Sequence, residues 1–392
     1  MQKRMKIALV LERFDPQGGG LEQWSWQLAQ ALAERRHHVT VLTFRYNSQW
    51  LPSGIDVHVL PWQASRLARA DLADQVLAEI GGDIDHDLGV GCSAAVLHPQ
   101  MGCRLANYRE ELRSLRMGQR IWRKIHPGQR QWFREVEQLE RQQYRQKSGV
   151  VIAVSRLVAR DLQDFHGVPR ERIRMVPNGV DFRRFSPAWA RTAAARENIR
   201  NQFDLTEKIV FLFAALNPRL KGLQPLLQAF AKAVRIRPEL RLLVIGKEAG
   251  PGLVRFVKKH QLEHAVKFAG FVPDARPYFA AADGFVLPTY YDACSLGVLE
   301  ACAMGLPVIT TRQNGASELL TDGQEGRIID RADDVQALQA ALLELADSDV
   351  RDRMRLKALE LASHCTFERN VDELENVYAE VLQRPRQIHA IG

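Results

Sequence analysis

The chain has 392 residues, of which 46% are hydrophobic and 26% are charged, and its formal net charge at pH 7 is +8. This composition is typical of folded proteins and excludes a disordered or fibrous chain, and the length predicts two or three domains. The apolar runs are far shorter than the roughly 20 residues that a membrane-spanning helix needs, so we expect no segment to cross a bilayer.

Short apolar runs alternate with longer amphipathic runs along most of the chain, a pattern typical of α/β proteins built from βαβ units. The apolar run that follows the basic N-terminus is too short for a signal peptide, and we interpret it as a buried strand of a cytoplasmic protein. In the first half the predicted elements are strands at 6–11, 39–44, 56–60, 88–90 and 150–154 and helices at 21–36 and 68–80.

A turn-rich stretch and a polar stretch at 186–206 separate a second series of the same kind. Its predicted elements are strands at 209–214, 241–245, 266–268, 284–287, 307–310 and 326–329 and helices near 222–236, 253–260, 276–282, 296–304 and 335–346. We therefore predict an N-terminal domain at 1–190 and a C-terminal domain at 200–366, with a helix at 367–385 that packs back on the first. Two doubly wound domains would face each other across a cleft, which is where such sheets bind ligands.

Gly18, Gly19 and Gly20 follow the first predicted strand and open the first helix. Unhindered backbone N–H groups and the positive helix end can bind a phosphate there. The sequence is neither G-x-G-x-x-G nor a P-loop, so it lacks the motifs that usually indicate a dinucleotide-binding or an NTP-hydrolysing protein. The alternative is that these glycines only permit a tight turn between the strand and the helix and bind no ligand.

Arg219 and Lys221 occupy the corresponding place in the second half, beside Gly222. A planar guanidinium and an ammonium point charge at the end of a strand suit a diphosphate. They would neutralise charge that develops on a departing diphosphate, which removes the need for a divalent metal. The alternative is a pair of solvated loop cations.

The densest group of candidates lies at 288–308, where a predicted strand gives way to a helix. Asp292 lies in the turn, Ser295 is a candidate N-cap, and Glu300 lies in the first turns of the helix. Two carboxylates beside a helix N-terminus can bind the hydroxyl groups of an extended polyol ligand.

This segment resembles the E-x7-E signature of family 4 glycosyltransferases, with Asp292 in place of the first glutamate and Glu300 as the second. The resemblance implies the GT-B fold, a nucleotide-sugar donor bound mainly by the second domain, and retention at the anomeric carbon without a metal. It covers nearly the entire chain in the same order, including the N-terminal glycines, 154–155, 176–181, Arg219 with Lys221-Gly222, 245–246, 270–272 and 314–318.

The resemblance also implies a role for each matching position. Asp292 would bind hydroxyl groups of the donor sugar and Glu300 the ribose. Arg219 and Lys221 would bind the diphosphate, which Gly19 and Gly20 would face from the first domain. The remaining implied contacts are the backbone near Val272 and Lys247 for the base, and the amide groups of Cys294, Ser295, Leu296 and Gly297 for sugar and phosphate.

In the first domain, members of this family often carry a histidine or an acid near the catalytic centre. Here either His98 or Gln100 occupies that position, and a purely structural histidine is the alternative. Asp83, Asp85 and Asp87 contain two D-x-D motifs, but we expect them to precede an apolar strand and to bind no metal. The five cysteines include no C-x-x-C pair, which argues against a disulfide framework and against structural zinc.

Residues 104–147 carry most of the net positive charge, since they contain 12 Lys and Arg against 5 Glu, a local excess of +7. Trp122, Ile125, Trp132 and Phe133 lie among them, which suits an anionic lipid surface, a phosphorylated glycan or nucleic acid. Two solvated arginine-rich helices are the alternative. The excess of basic over acidic residues in this segment resembles that of lipopolysaccharide-core glucosyltransferases.

Together these features predict a metal-independent, retaining hexosyltransferase. It would move a sugar, with glucose favoured, from a nucleotide sugar, with UDP favoured over GDP, to a lipid-linked or lipopolysaccharide-core glycan. We expect no cofactor, no nucleic-acid partner, and contact with the anionic inner face of the membrane through 104–147. The alternatives are a non-hydrolysing nucleotide-sugar epimerase, which shares the architecture, and a basic nucleic-acid-binding protein.

Overall fold

The computed structural model describes residues 4–47, 49–50, 53–115, 117–145, 149–192 and 194–384. Arg116 and Lys147 of the predicted basic segment, and the last residue of the predicted helix at 367–385, lie outside the described residues. The chain divides into two compact units. The first consists of the described residues of Met1–Arg109, Leu115–Pro177 and Asn370–Gly392, and the second of Glu110–Ser114 and those described in Asn178–Arg369.

The elements have the following bounds in chain order. The strands are β1 (Lys6–Phe14), β2 (His38–Tyr46), β3 (Ile55–Val59), β4 (Ile84–Asp87), β5 (Val96–Leu97), β6 (Val150–Ala153), β7 (Ile173–Met175), β8 (Ile209–Ala215), β9 (Leu240–Gly246), β10 (Val266–Gly270), β11 (Gly284–Leu287), β12 (Val308–Thr311) and β13 (Gly326–Ile329). The helices are α1 (Gly20–Glu34), α2 (Arg66–Ile80), α3 (Arg104–Arg113), α4 (Met117–Ile125), α5 (Pro127–Arg145), α6 (Arg156–His166), α7 (Pro187–Thr192), α8 (Ala195–Gln202), α9 (Leu223–Ile236), α10 (Pro251–Lys259), α11 (Arg276–Ala281), α12 (Leu296–Ala303), α13 (Val335–Glu344), α14 (Ser348–His364) and α15 (Phe367–Gln383).

Each unit contains one parallel sheet. Among the described residues, the first sheet has the order β3-β2-β1-β4-β5-β6-β7 and the second has the order β10-β9-β8-β11-β12-β13. In both sheets the chain starts at an inner strand, winds to one edge, and then crosses over to build the other side, which is the doubly wound arrangement. The α/β class predicted from the sequence is therefore confirmed.

The apolar periodicity of the sequence corresponds to the buried faces of these elements. On α1, Trp24, Leu28 and Leu32 are each at most 1% exposed, as their spacing of three to four residues predicts. Residues 7–11 of β1 and most of β8 are apolar and buried on both faces, because helices cover both sides of a parallel sheet. No helix among the described residues is long and apolar enough to cross a membrane.

The predicted strand at 88–90 is wrong, because the strand is the acidic segment just before it, β4. Asp87 ends this strand, fully buried, and its carboxylate accepts hydrogen bonds from the backbone N–H groups of Val90 at 2.8 Å and Gly91 at 3.0 Å. Gln143 Nε2 donates a further bond at 2.6 Å. Burial raises the pKa of Asp87 to about 6, against the lowering effect of these amides. Asp85 and Asp87 therefore lie within an inner strand of the sheet, and only Asp83 precedes that strand.

Candidate functional site

The predicted phosphate loop of the first unit lies between β1 and α1. Gly19 is the N-cap residue of α1 in an extended conformation, with Gly20 as the first helical residue. Asp15, which is 4% exposed, orders this loop: its side chain accepts hydrogen bonds from Gln17 N at 3.0 Å, and its carbonyl oxygen from Gly18 N at 3.1 Å. The glycines therefore lie at a helix N-terminus, where amide groups lack intrahelical partners.

His98 and Gln100 form one end of a buried polar chain in the first unit. His98 and His86 are both fully buried, with His98 Nδ1 3.1 Å from His86 Nε2, and His86 Nδ1 lies 2.7 Å from the hydroxyl of Tyr378. At the other end, Gln100 Nε2 lies 3.1 Å from His98 Nε2. Burial lowers the pKa of His86 to about 3 and that of His98 well below its ordinary value, so both rings are neutral at pH 7.

With the Gln100 amide nitrogen facing His98, one set of proton positions satisfies this chain. Gln100 Nε2 donates to His98 Nε2, His98 Nδ1 donates to His86 Nε2, and His86 Nδ1 donates to the Tyr378 hydroxyl. Of the two residues proposed for the catalytic position, only Gln100 is partly exposed. His98 lies behind it and fixes the orientation of its amide.

In the second unit, the structure brings two predicted residues of opposite charge together. Lys221 Nζ donates a hydrogen bond to Asp292 Oδ2 at 2.5 Å and another to the carbonyl oxygen of Tyr291 at 3.3 Å. Their side chains are 21% and 15% exposed, respectively. Both groups therefore reach the surface while holding each other in place.

The backbone explains why Lys221 meets Asp292. Gly222 has φ +80°, and a Cβ atom there would lie 1.9 Å from the carbonyl oxygen of Pro288. Only glycine permits both this conformation and this approach. Next to the contact, Tyr290 N donates to the carbonyl oxygen of Leu220 at 2.8 Å. The loop after β8 is thus packed directly on the loop after β11.

Asn314 organises the start of α12. It is fully buried, and its Oδ1 accepts hydrogen bonds from Ser295 N at 3.2 Å and Ala316 N at 3.1 Å, while its Nδ2 donates to Thr310 Oγ1 at 3.0 Å. Ser295 occupies the N-cap position, but its side chain makes no capping hydrogen bond. Its amide group is already used by Asn314, a residue that the sequence singled out only as part of the family resemblance.

Glu300 lies on α12 and is partly exposed. Burial raises the pKa of its carboxyl to about 7, and the nearby Arg184 guanidinium opposes this shift. Within the described part of the chain, the carboxyl has no hydrogen-bond partner. A ligand hydroxyl is therefore the kind of group that it can bind.

We expect Glu300→Gln to change how stability depends on pH. The pKa is about 7 in the folded state, above the ordinary value of 4.5, so the folded state binds the extra proton and the free energy of unfolding falls as pH rises through that window. The variant lacks this loss, so its Tm should rise relative to wild type between about pH 5 and pH 8. The exposed Glu263, changed to Gln, is the control. Parallel Tm curves for wild type and Glu300→Gln would contradict the expectation.

The other donor-site candidates follow strands of the same sheet. Arg219 and Lys221 follow β8, Lys247 follows β9, Val272 follows β10 and Asp292 follows β11, which are adjacent in the order β10-β9-β8-β11. The side chains of Arg219 and Lys247 are exposed and that of Val272 is partly exposed. All of these positions therefore lie along the carboxyl edge of one sheet, whereas Gly19, Gly20 and His98 belong to the other unit.

Family models match both units. Residues 19–179 match a model described as "Glycosyl transferase 4-like domain", and residues 207–348 match one described as "Glycosyl transferases group 1". The two matched segments together make up most of the chain. Among the functions that the sequence left open, these matches favour the glycosyltransferase.

Curated relatives include D-inositol 3-phosphate glycosyltransferases. That of Corynebacterium urealyticum is 29% identical over 64% of this chain and 62% of its own length. That of Paenarthrobacter aurescens is 28% identical over 46% of each chain. This chain thus matches less than two thirds of the length of these relatives, whereas the Stackebrandtia nassauensis protein is 24% identical over 93% of this chain and 88% of its own length.

Solved structures that resemble nearly the whole chain include two glycosyltransferase-fold proteins from other sources, WaaG and HepE. WaaG, a glycosyltransferase involved in lipopolysaccharide biosynthesis, has a TM-score of 0.78 at 21% identity and covers 95% of this chain and 99% of its own. Anabaena HepE in complex with UDP and glucose has a TM-score of 0.71 at 20% identity and covers 97% of this chain and 100% of its own. At this level of identity the likeness concerns the fold, and it confirms the GT-B class that the sequence resemblance implied.

Proposed function

Because the chain belongs to the family 4 glycosyltransferases, we propose that it is a metal-independent, retaining hexosyltransferase that uses UDP-glucose. The observation that carries this proposal is the Lys221–Asp292 ion pair beside Arg219, at the carboxyl edge of the second sheet. The HepE complex with UDP and glucose supports the choice of donor. WaaG, which acts in lipopolysaccharide biosynthesis, supports a lipid-linked or lipopolysaccharide-core glycan as acceptor.

In the proposed reaction, the bond between the anomeric carbon and the diphosphate oxygen breaks while the acceptor hydroxyl oxygen bonds to that carbon on the same face. The hydroxyl proton passes to the departing diphosphate. Arg219 and Lys221 stabilise the negative charge that develops on the departing diphosphate. As Lys221 turns toward the phosphates, Asp292 becomes free to bind hydroxyl groups of the sugar. Glu300 binds the ribose. The transfer requires neither Mg²⁺ nor Mn²⁺.

A thermal-shift screen with UDP, GDP, ADP and their sugars tests the donor. Ligands that bind the native state raise the apparent Tm. We expect UDP and UDP-glucose to raise it most, and slow hydrolysis of UDP-glucose to proceed equally with and without Mg²⁺. Sugar inversion without acceptor would instead indicate the epimerase, and no shift with any nucleotide would contradict the proposal.

The acceptor side of the proposal includes a membrane surface on α4. This helix buries none of its residues, and Met117, Ile121, Trp122 and Ile125 are 70%, 53%, 54% and 62% exposed. Their spacing places them on one face, and Arg123 and Lys124 lie on the same helix. Such a helix suits the headgroup region of an anionic bilayer, with its apolar face inserted and its cations near lipid phosphates.

We expect the triple variant Ile121→Ser, Trp122→Ser, Ile125→Ser to bind anionic vesicles at least about tenfold more weakly, since each side chain loses apolar burial in the bilayer. Co-sedimentation with phosphatidylglycerol-containing vesicles measures this. The matched control changes Ile236 and Leu356, which are 58% and 69% exposed in the second unit, to serine. Equal vesicle binding by the triple variant and wild type would remove α4 from the proposal.

We also propose that Gln100, and not His98, contacts the acceptor. Gln100→Ala should then lower kcat about 10- to 100-fold. Its loss of stability should be smaller than that of His98→Ala, because it removes only the donor to His98 Nε2. His98→Ala should lower the free energy of unfolding by about 2–4 kcal/mol, because it leaves a cavity and removes the partner of His86 Nε2. Chemical denaturation and steady-state kinetics separate these effects. A Gln100→Ala variant with wild-type kcat would refute the assignment.

A further inference from the structure

A cluster of three metal-binding residue types lies in the first unit, apart from the residues assigned to the transfer reaction. Cys103 immediately precedes α3, Glu140 lies within α5, and His166 is the last residue of α6. Cys103 is fully buried, and the side chains of Glu140 and His166 are each 2% exposed. Three separate helices therefore bring a thiol, a carboxyl and an imidazole to one enclosed point.

Of the three distances between the donor atoms, one falls in the range found around tetrahedral zinc and the other two differ from that range by a few tenths of an ångström. Cys103 Sγ lies 3.4 Å from His166 Nε2 and 3.9 Å from Glu140 Oε2, and the last two atoms are 3.1 Å apart. Around tetrahedral zinc, with its usual bond lengths to sulfur, nitrogen and oxygen, ligand atoms are about 3.3–3.6 Å apart. We propose that Cys103, Glu140 and His166 bind one Zn²⁺ ion, with water as the fourth ligand.

The surroundings of Glu140 fit this role. Its Oε1 accepts a hydrogen bond from Arg104 N at 2.8 Å and its Oε2 accepts one from Leu105 N at 3.3 Å, and these two bonds fix the carboxylate. Oε2 also faces the thiol and the imidazole. Ligating carboxylates are commonly held in this way by a backbone group. Zinc binding would replace the thiol proton of Cys103, which passes to solvent. The thiolate and the carboxylate then contribute one negative charge each, which together neutralise Zn²⁺. The imidazole is the neutral third ligand.

The site would connect the start of α3 to the middle of α5 and the end of α6. These helices include most of the basic segment, so the ion would stabilise the part of the unit from which α4 extends. The ligands are separated by 37 and 26 residues in sequence. No short cysteine spacing could therefore indicate the site, and the expectation of no structural zinc rested on the number and spacing of the cysteines. The inference does not depend on the proposed transferase activity.

Metal analysis of the full chain tests the proposal. After incubation with ZnCl₂ and dialysis, we expect about one zinc per chain, and a higher Tm than for the metal-stripped protein. Stripped protein refilled with Co²⁺ should show the absorption of a tetrahedral, thiolate-bound cobalt ion. Both measurements use the wild-type chain, so they do not depend on whether a variant folds.

Variants then identify the ligands. Cys103→Ser and His166→Ala should each lose most of the bound zinc and its effect on Tm. Cys92→Ser is the matched control, because Cys92 is a fully buried cysteine of the same unit outside the cluster, and it should keep the zinc. Wild-type protein that retains no zinc and shows no cobalt–thiolate absorption would overturn the proposal and leave a hydrogen-bonded cluster. Zinc retained equally by Cys103→Ser would overturn it too.

Discussion

The double variant Arg219→Ala, Lys221→Ala is expected to lose about 10³-fold or more of kcat. In the proposed reaction these two cations stabilise the diphosphate as the glycosyl bond breaks, and one such stabilising group typically contributes about 10²–10³-fold. Because the interaction grows as charge develops in the transition state, the loss should appear in kcat as well as in KM. Steady-state kinetics with UDP-glucose and acceptor measure both constants.

A control must separate this local effect from a change of net charge. Lys258 and Lys259 are exposed cations on α10 of the same unit, and their replacement by alanine removes the same charge. That control should keep wild-type kcat. Loss of Lys221 also leaves Asp292 without its ion-pair partner, so Lys221→Ala combined with Asp292→Asn should recover any lost Tm without recovering kcat. Wild-type turnover in the Arg219, Lys221 double variant would contradict the mechanism.

Much of the fold could be predicted because its strongest elements follow simple periodicities. β8 is a continuous apolar run, β1 contains one at 7–11, and α1 has an apolar stripe at helical spacing. The sequence does not predict β4, because its buried side chains include polar ones whose hydrogen-bond partners lie within the protein. Asp87 accepts hydrogen bonds from backbone amides, and His86 bonds to neighbouring side chains. An apolar pattern cannot indicate a strand whose interior is polar.

Some helices were also missed, for a different reason. α14 is 17 residues long, but only Met354, Ala358 and Ala362 are buried on it, a narrow stripe with two small residues. α7 and α8 lie in the polar stretch at 186–206, whose sequence predicts only a boundary between the two domains. Short or weakly amphipathic helices are stabilised by tertiary packing, which the local sequence does not show.

The sequence predicts which residues belong to the candidate site, but it does not predict which of them contact each other. Asp292, Glu300 and Lys221 were singled out from motifs and from the family resemblance. The Lys221–Asp292 ion pair joins positions 71 residues apart and depends on the packing of two loops. The role of Asn314 and the convergence of Cys103, Glu140 and His166 are long-range in the same sense. Spacing along the chain carries no signal for such contacts.

Gly222→Ala is expected to reduce kcat/KM about 10²-fold and the free energy of unfolding by at least about 2 kcal/mol. At φ +80° an alanine is strained, and its Cβ atom would lie 1.9 Å from the carbonyl oxygen of Pro288. The backbone of one loop must therefore move, which separates Lys221 from Asp292. A displacement of about 1 Å in a group that positions a substrate can produce a loss of this size. Kinetics and chemical denaturation measure the two effects.

Gly252→Ala is the matched control, because Gly252 lies on α10 of the same unit and a Cβ atom there meets nothing within 4 Å. Alanine is favoured over glycine within a helix, so this variant should be as stable as wild type or slightly more stable, with unchanged kcat/KM. If Gly222→Ala instead behaved like Gly252→Ala, the close approach of the two loops would not be what holds Lys221 and Asp292 together. If it lost stability but kept kcat/KM, the ion pair would persist through the movement, and the two loops would be coupled in folding but not in donor binding.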